Sequence, residues 1–254
     1  LYCVNKSKTP MKTLVIIPSR LSATRLPRKP LLKINGLSMI SHVFKKAQDA
    51  NIGEVIVAAA DKEIVDDVKK NGGEAIITSN SHQTGTDRIY EVIKKLNRTD
   101  VELVMNLQGD EPLINREDIR NLNKQMINSG YNLGTLASKI ENEEMFKSQD
   151  IVKVITDDSL DLSHFPLALK FLRKSEKSTK NIYHHLGIYC YHLETLKKFV
   201  SLKQSSNEIK NRLEQLRALD NNININVALA KSSSIGVDTK EDYMAIKKIM
   251  EYKS

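Results

Sequence analysis

KTLVIIP (12–18) is a short, unbroken apolar run closed by a proline, and PSRLSATRLPRKPL (18–31) follows it without a single glycine. A run of this length, rich in β-branched residues and ended by a breaker, reads as a strand buried on both faces. The segment after it cannot be a helix, because Pro18, Pro27 and Pro30 interrupt it. Arg20, Arg25, Arg28 and Lys29 nevertheless crowd into that one loop. A buried strand ending in a stiff, strongly cationic loop is the pattern from which the rest of the chain is read.

EVIVAAA (54–60), EAIIT (74–78) and VELVMNLQ (101–108) repeat the strand signature. Between them, SMISHVFKKAQDA (38–50), KEIVDDVKKNGG (62–73) and TDRIYEVIKKL (86–96) place apolar residues at helical spacing, the last capped by Thr84 or Thr86. Strands alternating with helices of this length imply an α/β chain with a parallel sheet covered on both faces. After about residue 130 the alternation loosens. TLASKI, IVKVIT, HLGIYCYH and NININVALA read as strands, and KSEKSTKN (174–181) as a polar loop. ETLKKFV, EIKNRLEQLRALDN and TKEDYMAIKKIMEYK read as helices. The first ten residues are expected to be an extension outside the fold. Residues 11–254 are expected to form one domain, with about 130–200 building a lobe that covers the sheet edge or makes a dimer contact.

The 254 residues are 40% apolar, enough for a sizeable core, and carry a formal net charge of +8. That charge suits acidic partners: nucleic acid, an anionic membrane surface or a polyphosphate substrate. Two cysteines make no disulfide framework, so a reducing cytoplasm is the expected compartment. No run approaches the roughly 18 apolar residues of a membrane span.

In an open parallel sheet, ligands gather at the carboxyl ends of strands. The cationic loop, HQTGTDR (82–88) and NLQGDEP (106–112) all follow strands. Neither GxGxxG nor GxxxxGK[ST] occurs, so side-chain cations must do for phosphate what backbone amides do in those loops. Guanidinium forks at Arg20 and Arg25 and the ammonium of Lys29 suit phosphate oxygens. Asp110, at a strand end beside Gly109, suits a magnesium ion on substrate phosphates; the competing role for Asp110 and Glu111 is to cap a helix opened by Pro112. Asp238, in IGVDTKEDY (235–243), is read as following a short apolar strand; it either shares that metal or caps the last helix with Thr239. Gly85 and Arg88 suit base or ribose recognition. His185, Tyr189 and Tyr191 share one face of a strand, while Glu214 and Gln215 read as surface residues. The histidine spacing fits no zinc site.

Taken in chain order, IIPSRLSATRLPRKPL, ING, GGE, HQTGTDR, NLQGDEP, VKV, HLGIYCY, LEQLR and GVDTKEDY resemble the 3-deoxy-manno-octulosonate cytidylyltransferases, the CMP-Kdo synthetases. The resemblance implies a Rossmann-like nucleotidyltransferase fold: a mixed, mainly parallel sheet covered by helices, with a small dimerisation lobe. It implies transfer from CTP to a 3-deoxy sugar acid (Kdo) with Mg²⁺, for lipopolysaccharide biosynthesis, by a cytoplasmic homodimer. Ser19, Arg20, Arg25, Lys29, Gly85, Arg88 and Asp110 would bind CTP, and Asp110 and Asp238 the metal. Gln108, His185, Tyr189, Glu214 and Gln215 would bind the sugar. Arg20, Lys29, Asp110 and Asp238 would form the catalytic set.

Three departures stand out. Arg28 occupies a position where the family usually has glycine, and Ala59-Ala60 stand where Thr-Asp is common, with Asp61 next. In LSHFPL (162–167), His164 stands where an arginine would face the sugar acid, which leaves an amino-substituted acceptor such as 8-amino-Kdo open. The alternative from another class is a basic nucleic-acid-binding module. It calls for aromatics interleaved with basic residues. Aromatics are only 5% of the chain, and the cationic loop has none.

Overall fold

Thr13–Ser19 forms strand β1, and every residue in it except Pro18 is buried. Val15 and Ile17 face one core, Leu14 and Ile16 the other. Burial on both faces is why this run is continuously apolar rather than alternating. The computed structural model describes residues 11–22, 25–174, 180–233 and 236–252. The expected extension over residues 1–10 lies outside these.

A short hairpin follows, β2 (Lys33–Ile34) and β3 (Leu37–Ser38). The chain then alternates α1 (Met39–Ala50), β4 (Gly53–Ala59), α2 (Lys62–Lys70), β5 (Ala75–Ile77), α3 (Gly85–Leu96), β6 (Leu103–Asn106), α4 (Arg116–Ser129) and β7 (Leu133–Ser138). The second half holds α5 (Glu143–Lys147), β8 (Lys153–Thr156), β9 (Ala168–Leu172), β10 (Ile182–His192) and α6 (Leu193–Ser201). It closes with α7 (Ser206–Asn211), α8 (Leu216–Asp220), β11 (Asn226–Leu229) and α9 (Lys240–Tyr252).

The main sheet runs β5-β4-β1-β6-β10-β7-β11. Its neighbours are parallel except at β10, which is antiparallel to both β6 and β7. β8 pairs with the first residues of β10, and β9 with β8. This is the mixed, mainly parallel sheet expected. One core packs α1, α2 and α4 on the sheet; the other packs α3 and α6 on the opposite face. A third, small cluster joins Leu26, Ile34 and Met39 to Val237 and Ile246 of the closing segment. Tyr243 on α9 donates to the carbonyl of Lys33 at 2.6 Å, so the last helix braces the hairpin that follows the cationic loop. Among the described residues no helix is long and apolar enough to cross a membrane.

Several expectations are corrected. The single helix expected over EIKNRLEQLRALDN is two, broken at Arg212 with φ 53°. On one straight helix, residues nine apart fall on opposite faces. Folding α8 back instead lets Arg217 donate to Glu208 at 2.9 and 2.6 Å in a buried pair. In NININVALA only Asn226–Leu229 pairs as strand, although Ile223 and Ile225 are buried too. Asp110, Glu111 and Pro112 open no helix: α4 starts at Arg116, capped by Asn115. No strand precedes Asp238 among the described residues; Gly236 and Val237 are loop, and Thr239 and Asp242 cap α9 reciprocally.

Candidate active site

Pro18 points its ladder positions towards β6, which has already ended at Asn106, so its missing N–H interrupts no pairing. β6 leaves through Gly109, where a Cβ would stand 3.0 Å from Ile40 Cδ1 and 3.2 Å from the carbonyl of Pro18. A side chain there would crowd both, so glycine eases the passage of Asp110 close to the end of β1. Thr84 caps α3 by accepting from the amide of Asp87, and Gly85 lies against the Pro18 ring, 3.2 Å from its would-be Cβ. The three loops singled out in the sequence therefore converge, and together with Asp238 they line one cavity of about 420 Å³.

Lys29 is the hub of this cavity. Its ammonium donates to Asp110 Oδ2 at 2.6 Å, Asp238 Oδ1 at 3.2 Å and the Val237 carbonyl at 2.7 Å. Arg25 donates to the other oxygen of Asp238 at 2.9 Å. Arg20 lines the cavity exposed, and the buried Ser19 hydroxyl beside it has no hydrogen-bond partner among the described residues. Two carboxylates from opposite ends of the chain thus meet on one ammonium. Magnesium takes one or two protein carboxylates and fills its shell with phosphate and water oxygens, so this donor pair fits it. No set of three or more possible metal-binding side chains occurs among the described residues.

Arg88 lines the cavity but is mostly engaged elsewhere. It is buried, donates to Thr78 Oγ1 at 2.6 Å and to the Ser79 carbonyl at 2.9 Å, and burial lowers its pKa. It braces the strand end as much as it faces a ligand. Arg28 turns away: its guanidinium pairs with Glu63 on α2 at 2.8 Å, and its backbone is left-handed at φ 56°. Asp61, noted in the sequence only as an acidic position, accepts from the amide of Leu21 at 2.8 Å and ties down the cationic loop.

A second cavity, of about 620 Å³, shares Arg25, Gln108 and Asp238 with the first. The two are lobes of one cleft. Gln108 donates to the Gly187 carbonyl at 3.1 Å, beside the bulge of β10. His185 and Tyr189 do share a face, their rings 5.5 Å apart, with Phe171 and Tyr191 extending the row. The Thr135 hydroxyl donates to the Ile188 carbonyl at 2.7 Å, so the 3.0 Å contact with His185 Nε2 requires the ring to donate there. Nδ1 is then the acceptor, on a ring whose pKa burial lowers to about 3. The His185 ring is neutral.

Glu214 and Gln215 are not surface residues. They sit in the break between α7 and α8, with Gln215 buried. Glu214 Oε1 is closed to solvent and has no hydrogen-bond partner among the described residues. Burial raises the pKa of this acid, against the pull of Thr86 and Arg217. The unbroken helical pattern hid this. His164, by contrast, is exposed beside Asp158 and Asp161 and lines neither lobe. The cations that do line the second lobe are Arg25, Arg173 and Arg212. Sequence reasoning passed over the last two, since a single arginine before a lysine-rich loop or inside a helical pattern carries no local signal.

A cytidylyltransferase family model matches residues 14–225. A 3-deoxy-manno-octulosonate cytidylyltransferase of Thermodesulfovibrio yellowstonii is 42% identical over 94% of this chain and 98% of its own length. Another, from Rhodopseudomonas palustris, is 40% identical over 96% of this chain and all of its own. A CMP:2-keto-3-deoxy-manno-octonic acid synthetase, solved in complex with CTP, shares the fold with TM-score 0.86 at 33% identity, covering 96% of this chain and 100% of that one. With the cleft geometry, these matches decide for a nucleotidyltransferase over a basic binding module: the chain belongs to the cytidylyltransferase family, among its 3-deoxy-manno-octulosonate cytidylyltransferases.

Proposed function

We propose that this enzyme transfers the cytidylyl group of CTP to the anomeric hydroxyl of 3-deoxy-manno-octulosonate, releasing pyrophosphate. The observation that carries this reading is the two-lobed cleft. A cationic loop and paired carboxylates line one lobe, two histidines, Tyr189, Glu214, Gln215, Arg173 and Arg212 line the other, and the two meet at Arg25, Gln108 and Asp238. The hydroxyl oxygen bonds to the α-phosphorus as the bond to the β-phosphate oxygen breaks. Such a transfer needs little covalent help from protein; positioning and charge neutralisation carry it.

In this reading Ser19, Arg20, Arg25 and Lys29 hold the triphosphate and offset the charge that gathers on departing pyrophosphate. The Gly85 turn and Arg88 form the wall against which base and ribose rest. Asp110 and Asp238 would hold Mg²⁺, which when bound polarises the attacking hydroxyl and offsets phosphate charge. Gln108, His185 Nδ1, Tyr189, Glu214 and Gln215 orient the sugar's hydroxyls. We place the reaction in the cytoplasm, in a homodimer, upstream of the glycosyl transfer that builds lipopolysaccharide. The test is pyrophosphate release from CTP, Mg²⁺ and 3-deoxy-manno-octulosonate; its absence sinks the proposal.

A further inference from the structure

We infer that Arg173 reads the far, hydroxylated end of the acceptor and excludes acceptors carrying an ammonium there; this rests on the reaction proposed above. Arg173 directly follows β9 and lines the second lobe, half-buried. Its guanidinium donates to the carbonyls of Gln149, Asn211 and Arg212, each at 3.3 Å. Three of five N–H donors are used, and two remain. Those partners are neutral carbonyls, so no carboxylate among them offsets the charge.

The corner around it is built to keep that charge in place. Lys153, fully buried, donates to the Arg173 carbonyl at 3.0 Å and to the Ser148 carbonyl, which fixes the backbone beneath the guanidinium. Arg212, in the left-handed break between α7 and α8, lines the same lobe. A half-buried guanidinium held at three points, underlain by the buried Lys153 and beside Arg212, favours electron-rich oxygen and repels a further positive charge.

The register places the corner at a useful distance. Lys153 stands across from His184 on one side and Leu172 on the other. Gln108 bonds Gly187, three residues further along β10. The corner therefore lies about 10 Å along the strand from where the lobes meet. The acceptor's carboxylate shares a carbon with its attacking hydroxyl, so both stay at that junction. What an eight-carbon acid extends into the corner is its opposite end, the exocyclic hydroxyls.

The test compares 3-deoxy-manno-octulosonate with its 8-amino analogue, by pyrophosphate release under CTP and Mg²⁺, in the wild type, Arg173→Gln and Arg173→Lys. The wild type should favour the hydroxylated acceptor in kcat/KM. Arg173→Gln should raise KM for that acceptor about 10- to 100-fold, the loss of hydrogen bonds to a charged group. Its kcat and KM for CTP should stay near wild type, and its preference between acceptors should narrow. Arg173→Lys keeps the charge, so it should lose affinity yet still discriminate; it also stands in if the glutamine variant does not fold. Because Arg173 ties three segments together, a merely structural role would weaken both acceptors equally. Pyrophosphate release with an unchanged acceptor ratio overturns the inference alone. So does a wild-type preference for the amino acceptor, which would make nearby Asp150 the reader. No release with either acceptor overturns the proposed reaction, and the inference with it.

Discussion

The two lobes of the cleft solve the same problem, holding a charged ligand, by opposite means. In the nucleotide lobe the charges are partly solvated and paired with one another: the side chains of Arg25 and Asp238 are 62% and 49% exposed, with Lys29 at 14% between the acids. In the acceptor lobe the wall between the junction and the arginine corner is desolvated: two histidines with lowered pKa values, a row of aromatic rings and a carboxylate whose Oε1 has no hydrogen-bond partner among the described residues. Exposed pairs exchange partners at little cost, which suits a triphosphate that arrives and leaves as pyrophosphate. Buried polar groups are costly to leave unmatched, and a site built of them rejects acceptors lacking the right hydroxyl. Solvated, exchangeable charge serves turnover in one lobe; desolvated groups, with the arginine corner at their end, serve selection in the other.

That contrast breaks most sharply at Asp110. Asp110→Asn removes one of the two carboxylates on Lys29 without changing shape, and turnover should fall at least ~100-fold, the scale of losing an electrostatic stabiliser at a reacting phosphate. Stability should hardly change, because the pair is partly solvated. Pyrophosphate release beside a urea melt checks both, and near-normal release would remove Asp110 from the mechanism.

Acid should act on the other lobe. Burial lowers the pKa of His184 to about 4, helped by the charge of Lys153, and that of His185 to about 3. Both lie below the ordinary histidine value, so between the two the unfolded chain binds the extra protons. Stability is then full above about pH 6.5 and drains as pH falls towards 4, by ~1.4 kcal/mol per pH unit for each histidine. Urea midpoints from pH 7.5 to 4.5 measure the slope, and His184→Gln should make it shallower. A slope identical in that variant would show that His184 is not held neutral.

Much of this was legible from the chain, for identifiable reasons. The alternation of buried strands and amphipathic helices fixed the parallel sheet, and unusual residues after strand ends marked the cleft. Asp110 and Asp238 are 128 positions apart, and sequence named both but showed no contact; Lys29 supplies it. What stayed hidden was tertiary. Glu214 and Gln215 lie in an amphipathic pattern that reads as one helix, and the break at Arg212 follows from the long-range bonding of Arg217 to Glu208. Asp61, Lys153 and Arg173 act through backbone amides and carbonyls, which side-chain patterns do not encode.

Glu214 tests whether the acceptor lobe depends on its buried charge. Glu214→Gln keeps the volume and removes the ionisable oxygen. KM for the sugar acid should rise by about tenfold, one good hydrogen bond to a charged group, with KM for CTP little changed. Parallel rises in both constants would mean that the break between α7 and α8 shapes the nucleotide lobe as well.

The smallest effect is expected at Arg28, on the rim of the nucleotide lobe. Its left-handed backbone, φ 56° and ψ 23°, opens the single 3₁₀ turn that carries Lys29, and this is the position where the family resemblance calls for glycine. A side chain there costs about 1 to 2 kcal/mol in steric strain. The ion pair with Glu63, both partners more than half exposed, returns at most about 1 kcal/mol. Arg28→Gly should therefore stabilise the fold slightly, by no more than ~1 kcal/mol once the added freedom of the unfolded chain is counted. Arg28→Ala loses the same ion pair but keeps the strained backbone, so the difference between the two variants isolates the turn from the charge. If both variants lose the same stability, the ion pair to α2 rather than the turn fixes Arg28. Pyrophosphate release should be unaffected in either, because the guanidinium points at α2 and not into the cleft.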